Sequence, residues 1–186
     1  MTSILLFLLT FFSEKTVLSQ PPAAAGFNFR VEQKKADVPF QNHEITLKKK
    51  FFDLVFEFAE PAAVKIAVSF DSTSFVQARN GMPAQSIEAF KTWDGGGLAE
   101  PDGLGLQNMG MAKGAYNYWF YDDRKAHRFT RTHRSPGKIT CWRSIGHIDL
   151  FDSQEKLVIT DAARPLYFVV TNPEGGQVEY LKINWK

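Results

Sequence analysis

Between Asp94 and Arg143 the chain gathers a run of rings, a run of cations and two of its four histidines. Tyr116-Asn117-Tyr118-Trp119-Phe120-Tyr121 has the composition of a strand. On alternating backbone, Asn117, Trp119 and Tyr121 share one face, while Tyr116, Tyr118 and Phe120 share the other. Rings beside an amide suit a sugar, whose apolar face stacks on an aromatic plane while its hydroxyls need amide or carboxylate partners. Asp122 and Asp123 follow at once and supply carboxylates. The competing expectation is that both sets of rings pack, one in the core and one beneath the preceding loop.

The next segment is basic. From Arg124 to Arg143 it carries Arg124, Lys125, Arg128, Arg131, Arg134, Lys138 and Arg143 with His127 and His133, and no Asp or Glu. Arginine forks onto planar oxyanions, so this stretch beside the aromatic run suits an anionic ligand. The expected ligand-binding set is therefore Asn117, Trp119, Tyr121, Asp122, Asp123, Arg124, His127 and Arg128. The plainer reading is a pair of solvated strand edges, guarded by cations against pairing with other sheets. A net charge of +2 gives no general field for nucleic acid, which is not an expected partner.

Catalytic and metal signatures are sparse. His127 and His133 share strand parity but lie about 20 Å apart at about 3.3 Å per residue, too far to ligate one metal. His147 and Asp149 share parity and sit closer, and His147 with Cys141 would formally make a thiol and imidazole pair. Cys141 follows Ile139 on an inward face, which favours an inert buried thiol. No G-x-S-x-G or H-E-x-x-H motif or carboxylate pair occurs, so no catalytic residue, metal or cofactor is assigned.

Asp94 to Gly114 holds seven Gly in twenty-one residues and reads as a long irregular loop, not a regular strand. Gly105 to Gly110 is followed by Met111, with no Lys or hydroxyl for a phosphate-cradling loop. Gly103-Leu104-Gly105 lacks the third Gly of a dinucleotide fingerprint, and Asp94, Glu100 and Asp102 lack the alternation of a calcium loop. A loop over the end of the domain, or a lid that touches ligand, are the two readings left.

The elements that must position these residues are strands. Phe27, Phe29 and Val31 alternate with polar neighbours, as do Val64, Ile66, Val68 and Phe70. Phe51 to Phe58 is apolar on one face and partly apolar on the other, the pattern of a central strand. Further strands are expected at Ile45–Leu47, Tyr116–Tyr121, Arg128–Thr132, Lys138–Trp142, Leu157–Thr160, Leu166–Thr171 and Val178–Trp185. Asn172-Pro173-Glu174-Gly175-Gly176 links the last two as a hairpin. Only Pro83 to Trp93 has helical spacing, through Ile87, Phe90 and Trp93. Strands without intervening helices predict an all-β, antiparallel two-sheet β-sandwich, of jelly-roll or immunoglobulin-like type, with at most one short helix.

Residues 1–19 read as a signal peptide: a short apolar run from Ile4 to Phe12, then Val17-Leu18-Ser19 before a cut ahead of Gln20. The run is shorter than the roughly 20 residues of a membrane span, and no later stretch approaches that length. Residues 20–26 would be a flexible lead-in and 27–186 one domain, exported to the periplasm or secreted. A single Cys rules out an internal disulfide, so the core must hold the domain together. At 44% hydrophobic and 23% charged residues, a packed fold is expected.

These readings converge on an exported binding or interaction module for a glycan or other anionic ligand, more an adaptor than an enzyme. One alternative is a hydrolase or lyase with a site from His127, His133, His147 and nearby acids. The other is a structural, envelope-associated domain docking through a sheet edge.

Overall fold

A computed structural model describes residues 26–70, 72–83, 86–87, 103–109, 118–120, 128–150, 155–172 and 178–186. The proposed leader, residues 1–19, and all but Gly26 of the lead-in lie outside the described residues. The described elements run β1 (Asn28–Gln33), β2 (Ala36–Asp37), β3 (Glu44–Leu47), β4 (Phe52–Phe58), β5 (Ala63–Ser69) and the helix α1 (Ser72–Arg79). They continue as β6 (Gly105–Met109), β7 (Tyr118–Phe120), β8 (Arg131–Ser135), β9 (Lys138–Ile145) and β10 (His147–Leu150). After β11 (Glu155–Val158) comes a 3-10 turn at Ile159–Asp161, then β12 (Leu166–Thr171) and β13 (Val178–Trp185).

Ten of these strands form two five-stranded sheets, ordered β2-β1-β4-β9-β8 and β3-β13-β12-β5-β6. The remaining three make a small sheet, β11-β10-β7. The protein is an all-β two-sheet sandwich, as the alternation implied. β4 lies at the centre of the first sheet, and this explains its two apolar faces. Phe52, Leu54, Phe56 and Phe58 point into the core, while Val55 on the opposite face is also fully buried.

The core lies between the inner faces. Val31, Leu54, Phe56 and Ile145 of the first sheet belong to one apolar cluster with Ile66, Phe168, Val170, Leu181 and Ile183 of the second. Phe52 meets Phe168 edge to face across the sandwich, with ring centroids 6.5 Å apart. Burying rings of this size supplies much of the domain's cohesion.

Three departures from the sequence expectations shape the second sheet and its cover. First, the pairing is not wholly antiparallel, because β3 joins β13 and β6 joins β5 in parallel at the two edges of the second sheet. Second, Gly105–Met109 within the Gly-rich segment is the regular edge strand β6, anchored by buried Leu104 and Leu106. Apolar side chains at alternate positions outweigh the entropic cost of one glycine at a strand start. Third, the helix is at Ser72–Arg79, which has no apolar stripe. Phe75 and Ala78 are its buried apolar side chains, while Val76 is exposed. Packing on the outer face of the second sheet, against Ala67 and Val169, holds it in place. Tyr180 closes its end by donating a hydrogen bond to the Ala78 carbonyl at 2.9 Å. The helical spacing expected at 83–93 falls mostly outside the described residues, although Ile87 is buried in that same cluster.

Candidate functional site

The two outer faces of the sandwich differ. On the second sheet α1 and Ile87 cover an apolar patch. The first sheet turns a row of polar and charged side chains outward: Arg30 and Glu32 from β1, Asp53 and Glu57 from β4, Trp142 and Ser144 from β9, Arg131 and His133 from β8. In register, Arg30 lies opposite Val55, Val55 opposite Trp142, and Trp142 opposite Arg131. Val55 is sealed although it faces outward, and Arg30 and Trp142 are the large side chains flanking it.

Arg30 is the hub of an ion-pair network. Its Nε donates to Asp37 at 2.8 Å, Nη1 to Glu57 at 2.7 Å and Nη2 to Glu32 at 2.8 Å. Partial burial opposes its charge, but the bonds to Asp37 and Glu32 and the field of Glu57 outweigh this and raise its pKa. Lys138 reaches the same Glu57 oxygen at 2.8 Å. This bond first, helped by Arg30, holds the Glu57 carboxyl below its ordinary value.

Trp142 connects this network to a cleft. Its Nε1 donates to Glu32 at 3.1 Å, and the Arg131 guanidinium lies 3.9 Å above the ring centre. Stacking uses the flat face of the guanidinium and leaves its in-plane N–H donors for an oxyanion. The cleft, about 570 Å³, is lined by Arg131 and Trp142 with Lys34, Lys35, Phe51, Asp53, Thr130 and Ser144. Asp53 accepts a short hydrogen bond from the Ser144 hydroxyl. Lys34, Lys35 and Arg131 are exposed and form no ion pair with a described carboxylate. A second cleft, of about 510 Å³, contains Glu57 and Lys138, but these already neutralise each other.

Lys34 and Lys35 are held there at a cost. They are the two residues between the paired Gln33 and Ala36, with φ of 58° and 63°. A hairpin with both central residues in the left-handed region normally takes Asn-Gly. Asn42-His43, between the bridged Gln41 and Glu44, adopts the same backbone with residues better suited to it.

Of the residues expected to bind ligand, Asn117, Tyr121, Asp122, Asp123, Arg124 and His127 lie outside the described residues. Trp119 is placed on β7 opposite Asp149 of β10, in the small sheet. Arg128 is exposed, and its carbonyl accepts a 3.0 Å hydrogen bond from Arg143 Nη1. The basic segment divides. Arg131, Arg134 and Lys138 are exposed, and β8 is an edge strand with all five residues exposed, as the edge-guarding reading anticipated. Arg143 does not belong to that surface. It shares parity with Ile139 and Cys141 and is fully buried, opposite Leu54.

Cys141 is buried in the core cluster, with the Thr132 hydroxyl 3.8 Å from its sulfur. His133 is exposed on β8, and His147 opens β10. Among the described residues no group of three or more His, Cys, Asp or Glu is disposed to hold a metal. No described helix is long and apolar enough to cross a membrane.

Lys34, Lys35, Phe51 and Trp142 escaped the sequence reading, which followed density of charge and rings along the chain. The available signal was parity: Cys141 inward puts Trp142 outward, and Lys34-Lys35 occupies the turn after an alternating run. No protein-family model, curated protein or solved structure matches the chain.

Proposed function

We propose that the protein is an exported binding module, and that the cleft beneath the β1–β2 turn takes a ligand bearing carboxylate or sulfate groups, an acidic glycan fitting best. One observation carries this reading: the Arg131 guanidinium lies 3.9 Å from the centre of the Trp142 ring, with Lys34 and Lys35 on the same cleft. The two acids nearest, Asp53 and Glu32, already accept hydrogen bonds from Ser144 and Trp142. An incoming anion therefore meets cations that have no carboxylate partner among the described residues.

Calorimetric titration with a uronic-acid or sulfated oligosaccharide tests the reading. Arg131→Ala removes both the fork and the stack, and is expected to weaken binding about tenfold. Equal affinity in wild type and variant would refute the site. Export is tested separately by mass spectrometry of the secreted or periplasmic chain, which should begin at Gln20.

A further inference from the structure

The cleft is one end of a longer basic surface. Lys48, Lys49 and Lys50 form the loop between β3 and β4, and all three are exposed. The side-chain amide of Gln33, the residue before the Lys34-Lys35 turn, pins this loop. Its Nε2 donates to the carbonyls of Lys48 at 3.0 Å and Lys50 at 3.2 Å, and its Oε1 accepts from the Lys48 N–H at 3.1 Å. Five lysines, two on the turn and three on the loop, thereby sit on backbone tied together through Gln33. None of them forms an ion pair with a carboxylate among the described residues. Phe51, half exposed, follows the loop directly and lines the cleft that holds Arg131 and Trp142.

Like charges on one surface repel one another, and a chain of counter-charges relieves that repulsion. Resting on the reading of the cleft given above, we propose that the ligand is a linear acidic polysaccharide. It would seat one anionic group on Arg131 and continue past Lys34 and Lys35 onto Lys48, Lys49 and Lys50. A single small anion would leave most of this track unused. A flat bilayer cannot reach cations that line a concave cleft, and a lone exposed ring at Phe51 offers little apolar area to insert. The ring instead gives a sugar face a surface to lie on beside the charges.

The test uses the full chain and uronic-acid oligomers of one polymer, increasing in length from the single sugar. In wild type, affinity should rise with length and then level off once the track is spanned. The triple variant Lys48→Gln, Lys49→Gln, Lys50→Gln should bind the shortest oligomer as wild type does but lose about tenfold on the longest at low salt. Gln33→Leu should shift in the same direction without any change of charge, because it frees the loop. Lys65→Gln with Arg79→Gln, on β5 and α1, removes two positive charges away from the track and should leave both affinities unaltered.

Length-independent binding, or a triple variant that behaves as wild type, overturns the track and leaves the cleft standing. No binding of any oligomer takes down the cleft as well. Tighter binding of single-stranded oligonucleotides, or of phosphatidylglycerol vesicles, than of the longest oligomer overturns the polysaccharide assignment.

Discussion

Replacing Lys34-Lys35 by Asn-Gly should make the protein more stable and a poorer binder. Both lysines sit at positive φ, where an L-residue with a long side chain costs about 1 kcal/mol. Lys35→Gly removes that cost but returns roughly 0.5–1 kcal/mol through the greater freedom of glycine in the unfolded chain. Lys34→Asn keeps a side chain that tolerates the left-handed region and relieves part of the strain at the first position. The net gain is about 0.5 kcal/mol, which in a domain of this size raises Tm by about 1–2 °C. Binding moves the other way, since two exposed charges leave the cleft; a loss of about 1 kcal/mol, roughly fivefold, is expected at low salt. Thermal unfolding by circular dichroism and calorimetric titration with an acidic oligosaccharide read the two effects on one sample. A lower Tm would show that the turn is not strained by its lysines. A higher Tm with unchanged affinity would show that the strain does not serve binding.

Other outcomes follow from the same geometry. Phe56→Ala deletes a fully buried ring whose centroid lies 5.3–5.8 Å from those of Phe27, Phe29 and Phe129, and should cost about 3–5 kcal/mol in denaturant unfolding. Arg30→Met removes a partner shared by Glu32, Asp37 and Glu57, of which Glu32 keeps Trp142 and Glu57 keeps Lys138. Discounted for partial exposure, the loss is about 1–2 kcal/mol, and it should shrink in high salt. Glu57, held by Lys138, and Glu44, held by Lys182 and Asn184, both have carboxyls lowered from 4.5. Their contribution is therefore complete above pH 4.5 and lost as pH falls through the lowered values, so stability should drop below that point in an acid titration. In Lys138→Met, with the first cause of the Glu57 shift removed, that drop should be smaller.

The sandwich was legible because each main strand shows its parity in side chains. Leu166–Thr171 and Val178–Trp185 fall where they were expected and pair as the expected hairpin. What was hidden depended on contacts between distant residues. α1 exists because the second sheet offers Ala67 and Val169 to Phe75 and Ala78, and nothing within Ser72–Arg79 announces that support. Arg143 was counted with its basic neighbours, although parity with Cys141 places it inside. The cleft was hidden for the same reason. Its lysines come from the β1–β2 turn and its arginine from β8, and the registers of β1, β4 and β9 bring them together.

The placing of β13 has a bearing on when the protein becomes a protein. It lies between β3 and β12, and Lys182 and Glu44, which bond across the β3 pairing, are 138 residues apart. A chain emerging from the ribosome therefore makes β3 long before the strand that pairs with it. β3 gains its strand partner only when Ile183 arrives opposite Ile45, and loop closure over such a distance is slow. The second sheet is thus closed between β3 and β12 only once residues 178–185 are available, and the long loop, not local pairing, sets the pace of its assembly.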